Sequence, residues 1–148
     1  MAGNAIPQFC KNGTLGTPCE ITAANTSSKG TGIIGTDIFK CFEAGVEGSL
    51  VEYVRFMPTA TASNTTTATV ARVFASSATS GAVTTANTHL LAEVSLPSVA
   101  VDNSVNPVYP VDVPLSVRIP AGWTILVTQH AAPVANTAWK VTAVAGDY

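Results

Sequence analysis

What most constrains this chain is a period of two. In HLLAEVSLP (89–97), Leu90, Ala92, Val94 and Leu96 alternate with Leu91, Glu93 and Ser95. In VDVPLSVRIP (111–120), Leu115, Val117 and Ile119 alternate with Ser116 and Arg118. EGSLVEYVRFMP (47–58) sets Leu50, Val54 and Phe56 against Val51, Tyr53 and Arg55. TDIFKCFEAG (36–45) places Ile38, Lys40 and Phe42 on one face and Phe39 and Cys41 on the other, so both faces carry apolar residues. TTATVARVFAS (66–76), TILVTQHA and the closing AWKVTAVAGDY are further strands. β-Branched and aromatic residues in alternation, punctuated by Pro, Gly and Asn, are what a pleated, half-buried backbone selects. Prolines at 58, 97, 110, 114, 120 and 133 fall where strands end or run along an edge. No window keeps helical spacing for three turns. The expectation is an all-β chain of about seven or eight antiparallel strands, a single β-sandwich or jelly-roll-like domain over 36–148.

The first 35 residues are rich in Gly, Asn, Thr and Ser, and no period lasts. They read as an extended N-terminal arm (1–35), ordered only where it lies on something. Removing residues 1–30 is then expected to leave a folded domain that no longer binds its assembly. Inside this stretch stands KGTGIIG (29–35), with Gly30, Gly32 and Gly35 on the G-x-G-x-x-G spacing behind Lys29. A dinucleotide loop requires a buried strand before it and a helix after it. AANTSSK precedes it and a strand ending in glycine follows it, so the context is missing. The glycines serve better as positions of positive φ, or where backbone lies flat on a neighbouring chain.

Charge narrows the function classes. Of 148 residues only 11% are charged, against about 25% in an average soluble domain. With 7 Lys and Arg and a net charge of −2, there is no basic footprint for nucleic acid. Apolar runs fall far short of the ~20 residues that span a membrane, so no membrane partner is expected. A surface this poor in charge is easier to understand if much of it meets other subunits. The opening MAGNAIPQFC has neither a basic nor a long apolar region of the signal-peptide kind, so the three cysteines, Cys10, Cys19 and Cys41, are expected to be reduced thiols in a protein made in the cytoplasm. A Cys10–Cys19 bridge is left open.

Catalytic chemistry has few candidates. His89 and His130 stand at strand ends, and no G-x-S-x-G elbow occurs. No cysteine or histidine spacing matches a zinc site. Asp37, Glu43 and Glu47 are close enough in sequence for a weak cation site, but solvated turn carboxylates are the simpler account. No catalytic residue, metal or cofactor is therefore expected. The N-glycosylation patterns at Asn12, Asn25 and Asn64 are what chance gives in so much Asn, Thr and Ser. Tyr53, Tyr109, Trp123 and Trp139 would make a sugar-stacking platform only if the fold gathered them. Arg55, Arg72 and Arg118 each lie mid-strand among apolar neighbours, as do Glu52 and Glu93, and are candidates for pairing across a sheet or a subunit interface.

Three stretches carry a resemblance. They are GTGIIGTDIFKCFEAGVEGSLVEYVRF (30–56), TTTATVARVF through LLAEVSLP (65–97), and PLSVRIPAGWTILVT running to WKVTAVAGDY (114–148). In this order they resemble small virion structural proteins of tailed bacteriophages, of the capsid decoration (cement) type. The resemblance implies a β-sandwich on the outer capsid surface of the virion, oligomeric with a trimer favoured over a dimer, clamping neighbouring subunits of the major capsid protein. A tail, baseplate or fibre component is the second expectation. A carbohydrate-binding jelly-roll module using Trp123, Trp139 or Tyr109 is the third. The interface candidates are Lys29, Gly30, Gly32 and Gly35 in the arm and Arg55, Arg72 and Arg118 in the strands.

Overall fold

The alternating stretches do form strands. The computed structural model describes residues 10–102 and 108–148. In chain order its strands are β1 (Asn12–Leu15), β2 (Cys19–Ile21), β3 (Gly32–Ile33), β4 (Phe39–Glu43), β5 (Ser49–Ala60), β6 (Asn64–Thr65) and β7 (Thr69–Ser76). They continue as β8 (Ala82–Val83), β9 (Thr88–Leu96), β10 (Ala100–Val101), β11 (Val111–Ile119), β12 (Thr124–Gln129) and β13 (Thr137–Asp147). No helix occurs among the described residues, and the strand pairs of both main sheets are antiparallel.

One sheet runs β1-β13-β5-β11, with β2 following β1 along β13; the other runs β4-β12-β7-β9. Their facing sides share one core. Val54, Phe56, Val141 and Ala143 from the first sheet meet Ala71, Val73, Ile125 and Val127 from the second, and all are buried. Full burial of a side chain such as Phe56 contributes about 1.5–3 kcal/mol relative to leaving it in water.

The two sheets differ in what covers their outer sides. On the second sheet, Phe74 and Leu126 point away from the shared core into a smaller cluster with Ile38 and Val83. Val83 belongs to the two-stranded ribbon of β3 and β8. Because β12 is covered on both faces, all six of its residues are buried, with apolar Ile125, Leu126 and Val127 in the middle and polar Thr124, Thr128 and Gln129 towards the ends. Among the described residues the first sheet keeps one open face, so β13 alternates from Thr137 to Ala145 between buried and more exposed positions.

Single extra residues correct the expected faces in three strands. Val144 pairs with Tyr53 but Ala145 with Val51, which leaves Glu52 over; Val51, Val54 and Phe56 therefore all point inward. In β9, Phe74 pairs with Leu90 and Val73 with Ala92. Leu91 is the extra residue, and Leu90 turns out to solvent instead of sharing a face with Ala92 and Val94. In β4 the extra residue is Cys41, which separates Ile38, in the outer cluster, from Phe42, in the shared core. One insertion moves every following side chain to the other face. In β11 the expected alternation holds, with Leu115 and Val117 packed on the core and Ile119 buried.

The arm expected over 1–35 also needs correction. From Asn12 onward it is paired: Asn12–Leu15 run against Val144–Asp147, and Cys19–Ile21 against Trp139–Val141. Ile21 is completely buried. Asp147 holds this corner, accepting hydrogen bonds from Thr14 Oγ1 at 3.1 Å and from Ser49 Oγ. Residues 25–34 then lie over the second sheet, starting with the Asn25 N–H donated to the Gln129 carbonyl at 2.8 Å.

Candidate interaction surface

The glycine run answers to packing inside the chain. Gly30 has φ +71°, and a Cβ there would come 2.5 Å from Thr88 Cγ2 and 3.0 Å from the Phe74 ring. At Gly32 a Cβ would stand 2.6 Å from Asp37 Oδ1 and 2.7 Å from Asn25 Nδ2. Those two polar groups hold the loop: Asn25 Nδ2 donates to the Thr31 carbonyl and to Asp37 Oδ2, each at 3.0 Å, and Asp37 Oδ1 accepts the Ile33 N–H at 2.7 Å. Gly35 has φ +86° with open space around it. Lys29 is exposed. These four candidates therefore sit over the second sheet, where Gly30 and Gly32 let the chain lie close to it.

The arginines separate into two kinds. Arg55 and Arg118 lie on the open face of the first sheet, and each stacks over a tyrosine. The Arg55 guanidinium is 5.4 Å from the Tyr53 ring centroid and that of Arg118 is 5.0 Å from Tyr148. Arg55 also grips Asp112, its cross-strand partner, with Nε to Oδ1 and Nη2 to Oδ2 both at 2.8 Å. Hydrogen bonding to Arg55, aided by its charge, holds the Asp112 carboxyl below the usual carboxylate range; the same pairing raises Arg55. The pair remains about two-fifths exposed, 42% and 41%.

Around that pair the register sets a grid. Tyr53 stands between Val144 and Pro114, Arg55 between Thr142 and Asp112, and Lys140 between Glu20 and Met57. Tyr53, Arg55, Met57, Thr142 and Val144 are all half-exposed. Sequence reasoning found Tyr53 and Arg55 but missed Met57, Asp112, Thr142 and Val144. The signal was present, because each holds the outward position between two core residues of its strand.

Arg72 belongs to the second sheet and is mostly covered, its side chain 10% exposed. Its Nε donates to Glu93 Oε1 at 2.6 Å, across the β7–β9 pair. Its Nη1 has no partner among the described residues, nor has Oγ1 of Thr128, the residue opposite on β12. Arg72 is thus the covered half of a cross-strand pair rather than a displayed charge.

The remaining candidates do not gather. Trp139 is 2% exposed in the core, while Tyr109 is 80% exposed. Trp123 is half-buried and stacks on His89, with centroids 5.6 Å apart and planes at 14°. His130 lies at the far end of β12 from Trp123, about 23 Å away at ~3.3 Å per residue, so the two histidines do not share a site. Asp37 is held by Asn25 and the Ile33 N–H, Glu43 by Lys40 at 2.8 Å, and Glu47 by Lys11 at 3.2 Å. The three carboxylates are each engaged separately. A groove of about 310 Å³ lined by Glu20, Thr22, Thr59, Ala60, Asn136 and Ala138 contains one ionisable group, Glu20.

No protein-family model, no curated protein and no solved structure matches the chain.

Proposed function

We propose that this chain is a non-enzymatic structural protein of a tailed-phage virion, made in the bacterial host cytoplasm, that decorates the outer capsid surface and clamps neighbouring major capsid subunits. The observation that carries this is the open face of the first sheet, where Tyr53, Arg55, Met57 and Val144 stand half-exposed in one patch. Arginine, tyrosine and methionine are the residues that protein interfaces concentrate. The charges on this face are largely paired, Arg55 with Asp112 and Lys140 opposite Glu20, so many copies can stand close without repulsion. Avidity over a symmetric shell multiplies a modest contact, and a homo-oligomer, trimer before dimer, fits the same use.

The strand order supports the architecture that goes with this reading. Counting β1 and β2 as one interrupted strand, the first main strand pairs with the last, the second with the next to last, and so inward to β7 with β9. That nested order is the one a jelly roll would have, a module used in capsid and in lectin domains. A tail, baseplate or fibre protein would use the same face in few copies. A glycan-binding module would have to work from Trp123 and Tyr109 without Trp139.

The test is cosedimentation with coat-protein particles that lack this chain, comparing the natural sequence with the Tyr53→Ala, Arg55→Ala double variant. Weakening of roughly 30-fold or more, the scale of a hot-spot loss, supports the proposed face, provided thermal unfolding shows the variant folded. Equal binding by a folded double variant contradicts it.

A further inference from the structure

Cys19 and Cys41 come from different sheets and pack into one core. β2 is at the edge of the first sheet and β4 at the edge of the second. Within β2, Glu20 is exposed and Ile21 buried, so Cys19 points inward with Ile21, opposite Val141. It packs on the same core cluster that contains Cys41. The approach is close: a Cβ on Gly16 would collide with the Cys41 carbonyl oxygen and come 3.3 Å from Phe42 Cβ. Cys41 is the extra residue of the β4 bulge, and its Sγ donates to the Ile125 carbonyl at 3.6 Å. β2 packs directly on β4, which sets Cys19 beside the strand that carries Cys41. The neighbouring Cys19 thiol, with burial, holds the Cys41 thiol well above its ordinary range.

Cys10 is placed elsewhere. It is exposed, and its Sγ donates to the Gly146 carbonyl at 3.4 Å. Gly146 and the Cys19 partner Val141 are five positions apart on β13, about 17 Å at ~3.4 Å per residue. A disulfide requires Cα atoms within about 7 Å. The Cys10–Cys19 bridge left open by the sequence therefore does not fit.

We propose that Cys19 and Cys41 are an oxidative cross-linking site, which a low-molecular-weight disulfide converts into a disulfide joining the two sheets. Cys19, the half-exposed thiol, reacts first. Its thiolate attacks one sulfur of the small disulfide, forms a mixed disulfide and expels one small thiolate. Cys41 then loses its proton, attacks Cys19 Sγ and expels the second. Two protein thiols are oxidised to one disulfide, and one small disulfide is reduced to two thiols. The high Cys41 thiol range makes the second step the slow one, faster at alkaline pH. The bridge would tie β2 to β4 and so fix the N-terminal strands to the opposite sheet.

The experiment treats the folded full chain with oxidised glutathione, quenches with an alkylating agent and maps peptides without reduction. Expected is a Cys19–Cys41 linked peptide, with free thiols falling from two to none and no glutathione retained in Cys10→Ser, the variant that removes the exposed thiol. Cys41→Ser should instead leave glutathione attached at Cys19. Recovery of the natural chain with a lasting glutathione adduct on Cys19, or with both thiols still alkylated after unfolding, would overturn the proposal.

Discussion

Ile21 of β2 stands directly opposite Trp139 of β13, and both side chains are buried between the sheets. The N-terminal segment is therefore a component of the core. Deleting residues 1–30 removes β1, β2 and the loop that crosses the second sheet, so the remaining chain should not give a cooperative unfolding transition. Ile21→Ala, a milder change, should destabilise by about 2–5 kcal/mol. Denaturant unfolding measures both, and a truncated chain as stable as the full one would contradict the placement of β1 and β2.

Two glycines of one run should respond differently to alanine. Gly35→Ala meets open space and carries only the cost of positive φ, about 1 kcal/mol. Gly30→Ala adds a collision with Thr88 and Phe74 to a similar backbone cost, and should be the more destabilising by at least ~1 kcal/mol. Unfolding midpoints of the two variants decide the order.

Arg55 and Asp112 give a small, signed pH dependence. The folded chain holds Asp112 below its unfolded value, so the pair's stabilisation is fully present above the ordinary carboxylate range near ~3.9 and is lost as pH falls through the lower folded value. Exposure keeps the effect small. Asp112→Asn should remove this component of the acid-side loss while leaving neutral-pH stability nearly unchanged. Comparing unfolding midpoints at pH 7 and in the acid range checks it.

Phe74 tests the ribbon of β3 and β8. Phe74→Ala should cost about 3–5 kcal/mol if its surroundings do not collapse. The loss should be felt first in amide exchange at Ile34, whose N–H is donated to the Gly81 carbonyl at 2.9 Å. Unchanged protection at Ile34 would mean that the ribbon does not depend on this cluster.

How legible all this was depended on how far each signal is local. The long alternating strands, β9, β11 and the closing β13, were plain in the sequence because burial on one face imposes a period of two. β1 and β2 were not, since four and three residues among Gly and Thr are too few to show it. The extra residues at Glu52, Leu91 and Cys41 were equally hidden; a bulge is a relation between partners, and one strand alone does not reveal it. Arg55, Arg72 and Arg118 look alike in sequence, each flanked by apolar residues. What separates them is that Phe74 and Leu126 draw a covering ribbon over the second sheet, while the first sheet keeps its outer face open. Gly30 and Gly35 take the positive φ expected of the run, and Gly30 lies against Phe74 of the same chain.

The most direct test of the structural-protein account is quantitative mass spectrometry of purified particles encoded by the same genome, counting this chain against the major coat protein. The account predicts about one copy per coat subunit or a simple fraction of that. A handful of copies per particle would move the protein to the tail, and its absence from particles would contradict the virion role altogether.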